Sequence, residues 1–282
     1  MNRTSIVGIF EVKNCNPNGD IDKNNRPRTQ RDTGCGVVTD VCLKRKIRDA
    51  VASIYGDDII FALKNSYLNK RVEESLKELS AEEKKNVDSG ILFMKKYWDA
   101  RAFGAILNTL KDSSMRSKSI RGPVSVSMAI SVDPVSLQNY SCSRSYGCDD
   151  GTTDKGLMLY EKAVVVYGLY RFFVTIDTCG AEKTNFTDED YDILINGLKN
   201  MFTLDYSTSR PIGCMNLLHL FEFKHNSKFG SCPDYKIESS VQIKKNEKIE
   251  VPVCLEDYTI SIDTEYLNSK NVKFCDLMEN YQ

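Results

Sequence analysis

The chain has 282 residues and a formal net charge of −1, and its hydrophobic content of 41% is ordinary for a soluble globular protein. No apolar stretch reaches the roughly 18 residues that a membrane-spanning helix needs, and the amino-terminal segment lacks the cleavage site of a signal peptide. We therefore expect a cytoplasmic protein. Because the net charge indicates no nucleic-acid partner, any such partner must be sought in the distribution of charge.

Ten cysteines and two histidines are scattered along the chain. The closest cysteines in sequence are Cys142 and Cys148, and no two cysteines form a Cys-x-x-Cys pair. A zinc site needs clustered ligands. We therefore expect reduced cysteines that pack as small hydrophobic side chains, and we predict neither a metal nor another cofactor.

The first third of the chain predicts a strand, a long loop and a helix. Ser5 to Lys13 is rich in β-branched and apolar residues and predicts a strand. Asn14 to Asp20 interrupts regular structure, and a polar loop continues to about Gly36. Thr39 is the expected N-cap of a helix that ends at about Tyr55, because apolar residues recur within it at helical spacing.

The middle of the chain predicts a helical insertion followed by a strand. Asp57 to about Val87 is rich in Lys and Glu, and Ile91 to Leu110 has a strong helical pattern. Gly122 to Val132 has the composition of a strand. Gln138 to about Leu157 is dense in Ser, Gly, Asp and Tyr, so it cannot bury enough apolar surface to pack and is expected to project from the body.

The last part of the chain predicts a strand, a helix and further strands. Ala163 to Asp177 is a long apolar strand, Thr187 to Phe202 a capped helix, and Leu217 to Lys224 a strand. Short strands are expected within Asp234 to Asp263, and the polar tail from Tyr266 is expected to be loosely attached. Without the insertions the order is β-α-β-β-α-β, which ferredoxin-like and RNA-recognition folds share, and this order indicates little about function.

The first predicted helix carries a row of cations. Lys44 and Arg48 are four residues apart and therefore share a face, where like charges repel by a few tenths of a kcal/mol. Cations near a helix N-terminus also oppose the helix dipole. A phosphate chain along this face would offset both costs, with backbone amides of the capped N-terminus as further donors. A solvated basic face without a partner is the alternative.

Seven segments occur in order between about Ile6 and Ser261. They are Asn16 to Asp20, Arg26 to Arg28, Gly34 to Arg48, Trp98 to Ala105, Arg121 to Val124, Tyr167 to Tyr170 and Phe223 to His225. The ordered set resembles the signature of the backbone subunit of type I-C CRISPR Cascade, the Cas-seven family. One such motif would be weak, whereas the ordered set is specific.

The resemblance implies an α+β fold, with a ferredoxin-like or RNA-recognition-like palm, a helical finger insertion and a projecting thumb hairpin. The palm would comprise residues 1–56, 121–137 and 158–265, the finger 57–120, the thumb 138–157 and a C-terminal tail 266–282. Members of the family stack along guide RNA in a filament and are not enzymes. The implied partners are guide RNA, the target DNA strand, further copies of the chain, the large, small and guide-end-capping Cascade subunits, and a recruited helicase-nuclease.

The resemblance also implies which residues contact RNA. Those placed against the guide are Arg26, Arg28, Thr39, Lys44, Arg45, Arg48, Arg121 and Arg144. In the thumb, Tyr140 and Tyr146 would stack on or wedge beside bases, a disordered polar loop being the alternative. For Arg121 the alternative is a surface salt bridge. This chain departs from the family at Ile130, where a basic residue is usual.

A catalytic alternative rests on three carboxylates in the loop after the first strand. Asp20, Asp22 and Asp32 could hold a divalent cation and position a water, as an aspartate in this loop does in the related backbone subunit of type III complexes. Turn chemistry is the other explanation, because Asn-Gly-Asp is a turn sequence. We favour turn chemistry and expect no catalysis. His219 is expected to satisfy a hydrogen bond in the core.

Overall fold

The computed structural model describes residues 1–77, 94–105, 120–143 and 159–279, so Arg144 and Tyr146 lie outside the described residues. In chain order the elements are β1 (Thr4–Cys15), β2 (Gly19–Asp20), β3 (Arg26–Pro27), β4 (Cys35–Val38), α1 (Asp40–Tyr55), α2 (Leu68–Lys77), α3 (Trp98–Phe103), β5 (Gly104–Ala105), β6 (Ile120–Arg121), β7 (Val124–Val126), β8 (Ala129–Pro134), β9 (Leu137–Ser143), β10 (Leu159–Ile176), α4 (Thr178–Thr184), α5 (Asp188–Asn200), β11 (Met215–Lys224), α6 (Asp234–Ser240), β12 (Val241–Lys245), β13 (Tyr258–Ile262), α7 (Thr264–Ser269) and β14 (Lys273–Asp276). No described helix is both long and apolar enough to span a membrane.

One large antiparallel sheet organises the fold. Its strand order is β14–β11–β1–β10–β8–β4, and β7 and β9 pair with other parts of β10. The succession β1, α1, β8, β10, α5, β11 agrees with the predicted β-α-β-β-α-β order. The predicted α+β class is therefore confirmed.

Strand β1 is buried on both faces, because each face lies against a different layer. Ile6 and Phe10 contribute to a core that also contains residues of α1 and α5. Val7 and Ile9, which alternate with them, contribute to a second core with residues of α6, β12 and β13. The central strand therefore reads as a continuous apolar run, which is the pattern that predicted it.

Helix α1 begins and ends where the sequence predicts. Thr39 Oγ1 accepts a hydrogen bond from the Cys42 amide at 3.3 Å, and Gly56, at φ +98°, follows the last helical residue. The helix packs closely on α5 at Gly197, where an added Cβ would lie 2.7 Å from a methyl carbon of Val51. This packing fixes the orientation of α1, whose N-terminus lies beside the end of β1.

The helix predicted from Ile91 to Leu110 is wrong at Gly104. Helix α3 ends at Phe103, Gly104 has φ +86°, and its amide donates to the Ala100 carbonyl. The chain then forms β5, which pairs with β6. A left-handed glycine ends helices readily, so the apolar periodicity was extended too far.

The polar segment from Gln138 begins within strand β9, which its composition did not predict and which the implied thumb hairpin would include. Strand β9 pairs residue by residue with the start of β10, from Leu137 with Val165 to Ser143 with Leu159. Its side chains are largely exposed. Backbone hydrogen bonds rather than apolar burial hold it, so hydrophobic patterning gave no signal.

Other segments differ in detail. Among the described residues the helix predicted from Asp57 begins only at Leu68, and the strand predicted from Gly122 to Val132 is divided into β7 and β8. The expectation of a loosely attached tail is wrong as far as Asp276, because α7 buries Leu267 and β14 pairs with β11.

Candidate nucleic-acid interface

The loop after β1 is tied to the N-terminus of α1. Asn18 Oδ1 accepts hydrogen bonds from both the amide and the hydroxyl of Thr39, each at 3.0 Å. The Thr39 hydroxyl thus donates to Asn18 while it accepts from the Cys42 amide. The Asn-Pro-Asn-Gly-Asp motif therefore positions the end of the helix that carries the predicted cations.

Each cation of α1 has a carboxylate partner, which corrects the argument that Lys44 and Arg48 repel each other without compensation. Asp40 and Asp49 on the same helix, and Asp99 and Asp205 from elsewhere in the chain, supply the carboxylates. The pairs are Lys44 with Asp40 at 3.1 Å, Arg45 Nε with Asp49 at 3.0 Å, Lys46 with Asp205, and Arg48 with Asp99 at 2.8 Å. The helix can therefore carry four cations without any ligand.

Arg48 is a brace between α1 and α3. Asp99 is 1% exposed, and it accepts from the Phe61 and Ala62 amides at 2.6 and 3.1 Å as well as from Arg48. The Arg48 guanidinium lies 4.9 Å from the centroid of the Phe103 ring, and its side chain is 16% exposed. This geometry holds elements together and leaves little of Arg48 for a ligand.

A second motif of the ordered set is also structural. Arg101 forms a two-pronged ion pair with Asp190, at 2.9 and 2.7 Å. Trp98 Nε1 donates to the Asp190 carbonyl at 3.0 Å. The segment from Trp98 to Ala105 therefore anchors the insertion to α5, a role that sequence reasoning had not assigned.

Other predicted contact residues are more accessible. Arg26 is 46% exposed in its side chain and lies 3.7 Å from Glu161, while Arg28 is 33% exposed and pairs with Asp20 at 3.2 Å. Lys44 is 25% exposed. Arg121 is exposed, and it forms no ion pair with any residue in the part of the chain that the structure describes.

The connection between α5 and β11 (residues 201–214) contacts the loop after β1 and strand β10. The Asn16 amide donates to the Ser209 carbonyl at 3.1 Å, and Lys162 Nζ donates to the Thr208 carbonyl at 3.1 Å. Arg210 lies 3.5 Å from Asp205 and is 26% exposed. Sequence reasoning missed Lys162 and Arg210, because only the folded connection brings them to the end of β1.

The thiol of Cys42 lies near cations from three parts of the chain. Burial raises the pKa of Cys42, while the positive charges of Lys46, Arg210 and Arg28 act in the opposite direction. Cations from α1, from the loop after β1 and from the connection to β11 are therefore close enough to act on a single group. Asp205, which pairs with both Lys46 and Arg210, acts on the same thiol, so cations and carboxylates are interleaved in this region.

Exposed tyrosines adjoin this region. Tyr140 on β9 is opposite Lys162 on β10, and Tyr160 lies two residues before Lys162, so the three side chains share a face. Tyr140 and Tyr160 are each 50% exposed. Two aromatic rings beside a lysine can stack on bases and bind phosphate. The alternating Tyr-x-Lys pattern was the signal that could have identified Tyr160.

The carboxylates of the catalytic alternative are placed as follows. Asp20 pairs with Arg28, and its carbonyl accepts from the Asn25 amide at 2.8 Å, so it contributes to turn structure. Asp22 and Asp32 are exposed. Across residues 1–77, 94–105, 120–143 and 159–279, no three His, Cys, Asp or Glu side chains are grouped to hold a metal ion. His219 is hydrogen-bonded to Asp276 at 2.7 Å, as expected, although it is only partly buried.

Comparisons with known proteins identify the family. The sequence model of Cas_Cas7, CRISPR-associated protein Cas7, matches residues 2–263. A curated CRISPR-associated protein Cas7 from Haloferax volcanii is 28% identical over 214 residues, which are 69% of this chain and 62% of that protein. The chain thus spans about three fifths of the length of this relative.

One solved structure shares the fold. A chain of a CRISPR RNA-guided surveillance complex, pre-nicking, is 11% identical with a TM-score of 0.54, covering 79% of this chain and 78% of its own. A chain of a second CRISPR RNA-guided surveillance complex is 13% identical with a TM-score of 0.48, covering 83% and 74%. Since the family model covers nearly the whole sequence, this chain belongs to the Cas7 family of CRISPR-associated proteins.

Proposed function

We propose that this chain is a non-catalytic backbone subunit of a type I CRISPR surveillance complex, of the type I-C kind. It would polymerise along guide RNA through sequence-independent phosphate contacts and present the guide for pairing with target DNA. One observation carries the proposal: partly exposed cations and exposed tyrosines converge at the end of β1 in a chain that belongs to the Cas7 family.

The carboxylate partners of the cations are compatible with this role. A partly exposed ion pair is worth only about 0–1 kcal/mol. A phosphate can therefore replace Asp40 as the partner of Lys44, or Asp20 as the partner of Arg28, at little cost in free energy. The displaced carboxylate is then hydrated. A guide strand adds many such contacts and releases counterions, so the total binding free energy becomes large although each contact is weak.

The exposed fraction of each side chain decides which residues we propose as guide contacts. We propose Arg26, Arg28, Thr39, Lys44, Arg45 and Arg121, with Tyr140 at the base of the thumb, and we add Lys162 and Tyr160. Arg144 and Tyr146 remain predictions outside the described residues. We assign Arg48 to the brace with Asp99 instead of to the guide, because its side chain is 16% exposed.

The remaining parts of the proposal follow from the family. Residues 57–120 would form the finger and 138–157 the thumb, which would fold over RNA held by a neighbouring copy. The other partners would be the target DNA strand, the large, small and guide-end-capping Cascade subunits and a recruited helicase-nuclease. These assignments rest on the sequence resemblance.

Fluorescence anisotropy with labelled single-stranded RNA tests the phosphate contacts. The double variant Arg28→Gln/Lys44→Gln should bind several unrelated RNA sequences more weakly, and the slope of log affinity against log salt should fall by about one to two units. Lys244→Gln/Lys248→Gln is the matched control, since both lysines are exposed on or beside the separate β12–β13 sheet. Weakening confined to particular sequences would contradict the proposal.

A second measurement addresses the absence of catalysis. Labelled RNA incubated with the full chain and Mg²⁺ should remain intact. Regularly spaced cuts that disappear in Asp20→Ala or Asp32→Ala would instead establish the ribonuclease alternative.

A further inference from the structure

The guide contacts leave the motif from Phe223 to His225 without a role. Phe223 is fully buried in the second core. His225 is 2% exposed, and its Nδ1 accepts a hydrogen bond from the Ser231 amide at 2.9 Å. Lys224, which lies between them, is 52% exposed in its side chain. The outer residues of the motif therefore fix the end of β11, and the middle residue is accessible to a ligand.

The ammonium group of Lys224 is held in place by buried partners. Its Nζ lies 3.2 Å from Oε2 of Glu222 and 5.4 Å from the centroid of the Tyr191 ring. Glu222 is 5% exposed, and it also accepts hydrogen bonds from the Tyr191 hydroxyl and, at 3.3 Å, from Cys275 Sγ. A lysine ammonium has three donors, so the contact with Glu222 leaves others for a ligand. Because the group is already positioned, binding a ligand there orders little that was mobile.

A cavity of about 390 Å³ brings Lys224 together with other accessible polar side chains. Exposed residues that line it include Lys224, Lys273, Asp188, Asn226 and Asn271. Lys273 on β14 is directly opposite Lys224 on β11, so the two cations share a face and repel each other. Lys273 forms no ion pair within residues 1–77, 94–105, 120–143 and 159–279. An anionic ligand in the cavity would offset this repulsion.

The lining specifies more than an anion. Two lysines that face one cavity suit a phosphate group, which lysine binds as a point charge. A phosphate ion alone would be repelled by the Asp188 carboxylate, and it would fill little of a volume within the roughly 300–1,000 Å³ range of small-molecule sites. A nucleotide carries hydroxyl and amino donors beside its phosphate. Carboxylates accept from such donors, and asparagine amides pair with the edges of bases.

We propose that this cavity is a nucleotide-binding site, in which Lys224 and Lys273 bind the phosphate while Asp188 and the asparagine side chains bind polar groups of the sugar and base. The site lies at the Thr4 end of β1, because Thr4 lines the cavity and is opposite Lys224. The guide contacts lie at the Cys15 end, about 35 Å away along the strand. One phosphate cannot reach both sites, so this site is independent of the proposed function.

Isothermal titration calorimetry on the full chain tests the site with AMP, GMP, CMP, UMP, their nucleosides and inorganic phosphate. At least one mononucleotide should bind saturably, and at least about tenfold more tightly than its nucleoside or inorganic phosphate. Lys273→Gln should weaken that binding by about tenfold or more, the value of one charge-assisted hydrogen bond. Lys244→Gln is the matched control, since this exposed lysine on β12 does not line the cavity and its loss should change nothing.

The variant Arg28→Gln/Lys44→Gln separates this site from the guide contacts. It should bind the mononucleotide as tightly as the wild type does, because both substitutions lie at the other end of β1. In the same variant, a four-nucleotide strand with a 5′-phosphate distinguishes the source of the ligand. Binding of this strand that Lys273→Gln abolishes would assign the site to strand ends, whereas binding of the mononucleotide alone would assign it to a free nucleotide.

Several results would overturn the site. These are no saturable binding of any mononucleotide, a nucleoside or inorganic phosphate that binds as tightly as the nucleotide, and an effect of Lys273→Gln no larger than that of Lys244→Gln. A polyglutamate peptide that binds more tightly than every nucleotide, and that Lys273→Gln releases, would indicate an acidic protein partner instead. Loss of nucleotide binding in Arg28→Gln/Lys44→Gln would place the nucleotide at the guide contacts, which would overturn the second site and leave the proposed function intact.

Discussion

Substitution of Arg48 by Met separates folding from RNA binding on helix α1. Met keeps much of the aliphatic length of the side chain but removes the charge that faces Asp99. The Asp99 carboxylate would remain 99% buried with two backbone amides and no cation. Breaking a buried ion pair typically costs 3–5 kcal/mol, and the surviving amide bonds place this case near the lower end, at about 3 kcal/mol.

The expected loss is large enough to measure. For a chain of this size 1 kcal/mol shifts the Tm by about 2–4 °C, so Arg48→Met should lower it by about 6–12 °C. Lys44→Met is the matched control, because the Lys44–Asp40 pair is partly exposed and its loss should cost less than about 1 kcal/mol. Differential scanning fluorimetry on the two variants and the wild type gives both shifts.

The effects of the two substitutions on RNA affinity should have the opposite order to their effects on stability. Measured well below the Tm of the weaker variant, Arg48→Met should bind RNA within about twofold of wild type, while Lys44→Met should bind more weakly with a salt slope about one unit lower. A fully stable Arg48→Met protein with impaired RNA binding would refute the assignment of Arg48 as a brace and would restore it to the guide-contact set.

Three further outcomes are expected. Thr39→Ala should destabilise the protein by about 1 kcal/mol in chemical denaturation through loss of the cap on the Cys42 amide, and Thr39→Ser should not. Gly197→Ala should lower the Tm despite the higher helix propensity of Ala, since the new Cβ meets Val51 at 2.7 Å, and a raised Tm would contradict the packing. Burial acts to raise the pKa of the Asp205 carboxyl, but Lys46 and Arg210 hold that pKa below its ordinary 3.8. Asp205 therefore stabilises the fold above its unfolded pKa and loses this effect as the pH falls through the folded value, so the deficit of Asp205→Asn should shrink below about pH 4 and should not stay constant.

Local signals in the sequence were sufficient for the central elements. Thr39 and Gly56 delimit α1 because a cap hydroxyl and a positive-φ glycine act within one turn of the helix they bound. Strand β1 was identifiable because both of its faces are buried, which leaves an unbroken apolar run. Strand β9 was not, because its exposed polar side chains carry no burial pattern and only the neighbouring strand defines it.

The partners of the cations could be predicted only in part, for a reason of distance along the chain. Asp40 and Asp49 are four residues from Lys44 and Arg45, so helical spacing alone pairs them. The carboxylates that neutralise Lys46 and Arg48, Asp205 and Asp99, lie far away in sequence and become neighbours only in the fold. A basic row in a sequence therefore overstates the charge that is free to bind a polyanion.

The motifs that carry the family resemblance are of two kinds, according to whether their charged groups are neutralised inside the protein or remain exposed. The polar groups of the segment from Trp98 to Ala105 form hydrogen bonds inside the protein, with Arg48, with Asp190 and with the backbone of the insertion. This segment therefore maintains the fold. The segments from Asn16 to Arg28 tie the loop after β1 to the N-terminus of α1 and leave the side chains of Arg26 and Arg28 partly exposed. A motif whose polar groups are satisfied inside the protein thus indicates how the chain folds, and one that leaves charged side chains partly exposed indicates where it binds.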